Sequence, residues 1–199
     1  MTPTGTGSRR RRPNDPDRRD RIARAAIAVV AQGGVESLTH RAVAAAAEVP
    51  LGSTTYHFAT LEDLLAVALQ TAADESIAAL RRWRAALAPG ADPVDAMTAL
   101  VLDYLHEQRR HTVVEYDLYV AALHRPRLRP TGAAWDEALA EIFGSLTDPV
   151  TGRMLAALFC GLLMQAAIAE PAPSAPAIRT LLRRAVAGSP DPDRETPGP

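Results

Sequence analysis

Apolar residues recur at intervals of three and four along almost the whole chain, and the strict alternation of a half-buried strand is nearly absent. The first such stretch, Asp17 to Gln32, puts Ile22, Ala26, Val29 and Val30 on one face and ends at Gly33-Gly34, a favoured helix stop. A short second helix, capped by Thr39, reaches about Ala46 with Val43 turned inward. A tight turn over Ala47 to Val49 leads into a third, Pro50 to His57. Pro50 suits a first helical turn because its missing N–H would have had no intrahelical partner there. A long fourth helix runs from Leu61 to Leu87 and stops at Pro89-Gly90. Five more are predicted at Asp92–Gln108, Thr112–His124, Gly132–Leu146, Pro149–Glu170 and Ala175–Ala187, with breaks at Pro126, Pro130, Asp148-Pro149 and Pro171 to Pro176. About nine helices without a strand make an all-α fold.

The two ends depart from this pattern. Residues 1–16 are rich in Gly, Pro, Ser, Thr and Arg and cannot bury enough apolar surface to offset their conformational entropy, so a disordered basic arm is expected. Residues 188–199, proline-rich with alternating charge, are expected to be a disordered tail. Between them, a chain with 47% hydrophobic residues can bury a sizeable core. Net charge is −1, but unevenly spread: residues 1–60 hold nine arginines against five acids, and the rest thirteen against eighteen. That asymmetry fits a DNA-facing N-terminal part and a body that phosphate repels. Cys160, the single cysteine, cannot form an internal disulfide. No apolar run follows the N-terminal arginines, and Met154 to Ala169 is short for a bilayer, so the expected location is the cytoplasm.

The stretch from Ser37 to Phe58, Ser-Leu-Thr-His-Arg-Ala-Val-Ala-Ala-Ala-Ala-Glu-Val-Pro-Leu-Gly-Ser-Thr-Thr-Tyr-His-Phe, is two short helices on a three-residue turn, the spacing of a helix-turn-helix. There the second helix lies in the major groove, so its outward residues must be short or polar. Gly52, Ser53, Thr54 and Thr55 meet that demand. From Arg21 to Leu69 the chain resembles the TetR family of transcriptional regulators. Gly33 or Gly34, Thr39, Val43, Ala44, Ala47, Val49, Gly52, Ser53, His57, Phe58, Glu62, Leu64 and Leu65 stand at the family's places.

The resemblance implies a DNA-binding domain over residues 17–60 and a ligand-binding and dimerisation domain over 61–187. It implies a homodimeric repressor, released from double-stranded operator DNA by a small, largely apolar ligand. It also implies DNA contacts from Thr39, His40, Arg41, Pro50, Leu51, Gly52, Ser53, Thr54, Thr55, Tyr56 and His57. Thr39 would bind phosphate at a helix N-terminus, Arg41 phosphate or guanine, and Tyr56 the backbone beside the groove. His57 would either join Tyr56 there or pack the three-helix core with Phe58. Arg9 to Arg12 would follow the DNA backbone or a minor groove, or stay solvated. Four residues depart from the family pattern. Glu48 replaces a turn glycine, where a left-handed conformation costs roughly 1 kcal/mol. Pro50 replaces a capping Ser, Thr55 holds a usual Tyr place with Tyr56 beside it, and Leu61 replaces a phosphate-holding Lys.

Most remaining large side chains lie between Trp83 and Glu170. A mostly apolar cavity with a few polar tips is the usual form of a small-molecule site. The candidates for its lining are Trp83, Met97, Tyr104, His111, Tyr116, Tyr119, Trp135, Phe143, Phe159 and Gln165. Pro149 to Glu170 is apolar nearly all round and must be buried on every side. The last helix gathers Ile178, Leu181, Leu182 and Val186 on one face, so the two helices with their two-fold mates would form a four-helix dimer interface. No metal or cofactor is expected, because the histidines are scattered and Cys160 has no partner at ligand spacing. No nucleophile beside a base, carboxylate pair or phosphate loop argues for an enzyme. A pure interaction scaffold would leave the helix-turn-helix without a purpose.

Overall fold

The structure, a computed structural model, describes residues 17–187; the arm expected at 1–16 and the tail expected at 188–199 lie outside them. The described residues form nine α-helices and no strand: α1 Arg18–Gly33, α2 His40–Ala46, α3 Leu51–His57, α4 Leu61–Ala86, α5 Pro93–His106, α6 Arg109–Ala121, α7 Arg129–Gly144, α8 Pro149–Ile168 and α9 Ala175–Val186. Single 3-10 turns at Val35–Ser37 and Pro126–Leu128 link α1 to α2 and α6 to α7.

Local chemistry sets these bounds. Thr39 caps α2 by accepting the Ala42 N–H at 3.0 Å. Thr60 and Asp63 cap α4 reciprocally, the Thr60 side chain taking the Asp63 N–H and the Asp63 carboxylate taking the Thr60 N–H. Those bonds hold the Asp63 carboxyl below the usual carboxylate range. Asp92 and Asp148 each accept two backbone N–H groups ahead of a proline in the first helical turn. Gly34 ends α1 at φ 72. Pro130 does not break a helix as expected; it lies in the first turn of α7, where its missing N–H costs nothing, so that helix begins at Arg129.

α1, α2 and α3 pack together as a head, and α1 also packs on α4 and α6, so head and body share one continuous core. In the body, α7 and α8 lie against each other along their length. Their closest approach is at Gly152, where a Cβ would run into the backbone of Gly144 and Ala140. α8 is long and apolar enough to cross a membrane by length and composition, with mean hydropathy 1.5. Its Leu155, Phe159, Leu162 and Leu163 are instead buried in the body. Its other side stays exposed in the protomer, where the sequence pattern had required burial all round.

Candidate DNA-reading face and ligand cavity

The turn between α2 and α3 holds Glu48 at φ 53, the left-handed conformation that costs a non-glycine residue roughly 1 kcal/mol. Pro50 stands one place outside the helix as its cap, and α3 starts at Leu51. Four residues back from the buried Phe58, the inward position of α3 is Thr54. Its hydroxyl donates to the Leu51 carbonyl at 2.8 Å, and it is fully buried. This corrects the expectation that Thr54 turns outward: a threonine can fill a core position by satisfying its hydroxyl on its own helix. Phe58 packs inside with the Arg19 guanidinium 5.3 Å from its ring centre. His57 is half-buried between the two neighbouring rings, edge-on to Tyr56.

Thr39, Arg41, Pro50, Leu51, Gly52, Thr55 and Tyr56 are exposed, while His40 and Ser53 are half-buried. Tyr56, at 83% exposure, contributes almost nothing to the fold. Small residues beside it at Gly52 and Thr55 leave room for a close approach.

The body contains a cavity of about 300 Å³ between α4, α5, α6, α7 and α8. Five of the ten expected residues line it: Tyr104, Tyr116, Tyr119, Trp135 and Phe159. The others stand elsewhere. Phe143 is fully buried behind Phe159, ring centres 5.4 Å apart, and Trp83 lies behind Phe143 at 6.2 Å. Met97 is fully buried core, Gln165 is exposed on α8, and His111 reaches Glu115 rather than the cavity. A periodic pattern of large apolar residues cannot tell a cavity wall from the core behind it.

Pattern reading also missed the polar lining: Ser76, Glu115, Asp136 and Arg153. Glu115 matters most, because its side chain is 5% exposed. It lies four residues before Tyr119 and three before the buried Leu118, the inward face of α6, and that spacing was the available signal. His111 Nε2 stands 3.0 Å from Glu115 Oε1, yet without hydrogen-bond geometry, so that oxygen has no hydrogen-bond partner. The buried Trp135 indole N–H has none either. Buried polar atoms without a hydrogen bond are uncommon, and two of them stand at this cavity.

The phenols and the thiol of the lining stay neutral. Tyr119 donates to Asp136 Oδ2 at 2.8 Å, and Tyr116 to the Cys160 carbonyl at 3.0 Å. Burial, then the Glu115 charge, pushes the Tyr104 phenol up to about 12, and burial with the Asp136 bond does the same to Tyr119. Burial raises Tyr116 as well, and lifts the Cys160 thiol to about 11, too high for a reactive thiolate. Glu115 thus lies buried among aromatic faces, with His111 at its other side.

Residues 88–188 match the family model described as tetracyclin repressor-like, C-terminal domain. No curated protein matches. Among solved structures, the multidrug binding protein EbrR in complex with imidazole is 43% identical, over 86% of this chain and 96% of that one, with a TM-score of 0.77. EbrR with ethidium aligns at 40% identity, covering 85% and 98%, TM-score 0.74; further EbrR structures hold proflavin and malachite green. SCO1917 from Streptomyces coelicolor A3, a TetR-family member, is 42% identical over 86% and 99%, TM-score 0.75. The chain belongs to the TetR family of transcriptional regulators.

Proposed function

We propose that this protein is a cytoplasmic, homodimeric repressor that leaves its operator when a flat, lipophilic organic cation fills the body cavity. The carrying observation is Glu115, a buried carboxylate inside an aromatic chamber with only the half-buried His111 beside it. A merely apolar ligand would leave that charge to the partly exposed His111 alone, whereas a delocalised cation offsets it while its rings meet Tyr104, Tyr119 and Trp135. EbrR binds dyes of this chemistry, which supports the same ligand class here.

Two helices lead from the cavity to the head. α4 contributes Ser76 to the cavity and packs on α1, and α6 contributes Glu115, Tyr116 and Tyr119 while its first turns also meet α1. A cation that repositions α6 therefore shifts the head, and in a dimer alters the spacing of the two recognition helices. A hundredfold release needs ~2.7 kcal/mol of differential affinity.

The test is ethidium titration read by quenching of the protein's own tryptophan emission. It is run with DNA selected by this protein from a random pool and with scrambled DNA of the same length and composition, which takes up the dye by intercalation equally. Against the scrambled DNA, the selected DNA is expected to weaken ethidium binding by the factor with which the dye, acting through the cavity, weakens DNA binding. Glu115→Gln is expected to lose ethidium affinity and keep DNA affinity, and any release of DNA that survives in it is the part due to intercalation. Equal ethidium affinity with selected and scrambled DNA would overturn the coupling, and an unchanged Glu115→Gln would overturn the ligand class.

A further inference from the structure

We propose that a second copy of this chain forms the outer wall of the cavity, so that one bound ligand touches both protomers. This rests on the cation-regulated dimer above and adds the origin of the missing wall. The exposed residues that frame the cavity mouth are Asp136, Arg153, Ala157 and Met164, and Arg153 is held along the rim by its bond to Glu137 at 2.9 Å. Three of the four lie on α8.

On α8, residues Val150, Met154, Ala157, Gly161, Met164 and Ile168 follow one another at spacings of four and three and so form one stripe down the helix. The stripe is apolar, and its ends stand far out of the protomer, Val150 at 70% exposure and Ile168 at 82%. Ala157 and Met164 belong both to this stripe and to the rim of the cavity.

The shape of the stripe identifies its occupant. The outer positions Val150, Met154, Met164 and Ile168 are large and the two central ones, Ala157 and Gly161, are small, and the positions pair symmetrically about 159. Two helices that cross need small side chains at the crossing point and larger ones where the axes diverge, so the stripe fits a copy of itself. Nothing inside the protomer asks for glycine at 161, since a Cβ there would touch no atom within 4 Å. A two-fold mate centred on Ala157 and Gly161 must pass directly over the mouth. The cavity, about 300 Å³ in the protomer, lies at the small end of ligand sites, ~300 to 1,000 Å³, and the mate turns its open edge into a wall.

The experiment uses the full chain carrying Ile168→Arg, which weakens the dimer from the end of the stripe, outside the cavity lining. Sedimentation equilibrium across the monomer–dimer transition, with circular dichroism as a check on folding, is run with and without ethidium. The monomer is expected to bind ethidium about 5- to 150-fold more weakly than the dimer, and saturating ethidium to tighten dimerisation by that factor once for each of the two cavities. If Ile168→Arg does not fold, Val150→Arg at the opposite end carries the measurement. Equal ethidium affinity in monomer and dimer would overturn the shared wall and leave the cation reading standing. Failure of the unmodified dimer to bind ethidium would remove the cation reading and this proposal with it. An unmodified chain that stays monomeric, or pairs only with a different protein, would also overturn it.

Discussion

Head and body place their polar chemistry on opposite sides of their cores. The head keeps Ile22, Val43 and Phe58 inside and turns Arg41, Thr55 and Tyr56 to water. The body does the reverse, enclosing Glu115 and Ser76 among Tyr104, Trp135 and Phe159. The head can therefore change what it reads without touching what holds it together. In the body the same side chains shape the cavity and support the fold, so each change in ligand preference also alters stability.

The largest expected effect tests the body's half of this contrast. Phe143→Ala removes a fully buried ring that backs the cavity, and should cost about 3–5 kcal/mol in urea unfolding and lower ethidium affinity together with stability. A stable Phe143→Ala protein with an altered cavity would break the comparison. Next, Tyr56→Ala should change unfolding stability by no more than about 0.5 kcal/mol. The same substitution should weaken DNA binding measurably, by a flatter salt slope for a backbone contact or by about 1–3 kcal/mol for a base contact. Loss of stability in this variant would mean that the head is not built with its function outside.

Glu48→Gly should stabilise the head by roughly 1 kcal/mol, read as a raised unfolding midpoint, because glycine adopts the left-handed turn without strain. The smallest effect is that of pH, since the His111 side chain is 41% exposed and screened. Pairing with Glu115 raises its pKa above the ordinary 6.5, against the opposing pull of burial. Its contribution to stability is thus fully present below 6.5 and fades as pH rises through the raised pKa. Losing that proton frees the Glu115 charge, so ethidium binding should tighten over the same interval. His111→Gln should flatten both profiles.

Helix bounds were readable where a side chain acts on its own neighbours, as with Thr39 before α2, Asp92 before Pro93 and Asp148 before Pro149. The head's outer face was readable for a related reason: motif spacing names exposed positions, and only Thr54, whose hydroxyl returns to its own helix, turned the other way. The body resisted because its distinguishing groups are buried. Trp83, Met97 and Phe143 have the same periodicity as Tyr104 and Phe159, and which of them meets empty space depends on how α7 and α8 close at Gly144 and Gly152. Glu115 was hidden by its charge, which in a helix usually signals solvent.

The edge-on rings Trp83, Phe143, Phe159 and Tyr104 also give the protein an optical character of its own. Each touches the next at 5.3–6.2 Å, from the far end of α4 to the cavity wall. The chain has two tryptophans, and they occupy different ranks in this arrangement: Trp135 faces the cavity, whereas Trp83 sits two rings behind it. A dye in the cavity would quench Trp135 by contact and Trp83 through space, whereas the wavelength of Trp83 emission shifts when the ring stack around it is displaced. With Trp135 replaced by Phe, the intensity of the remaining emission would report the arrival of the dye and its wavelength the movement of the wall, separating occupancy from transmission in a single cuvette.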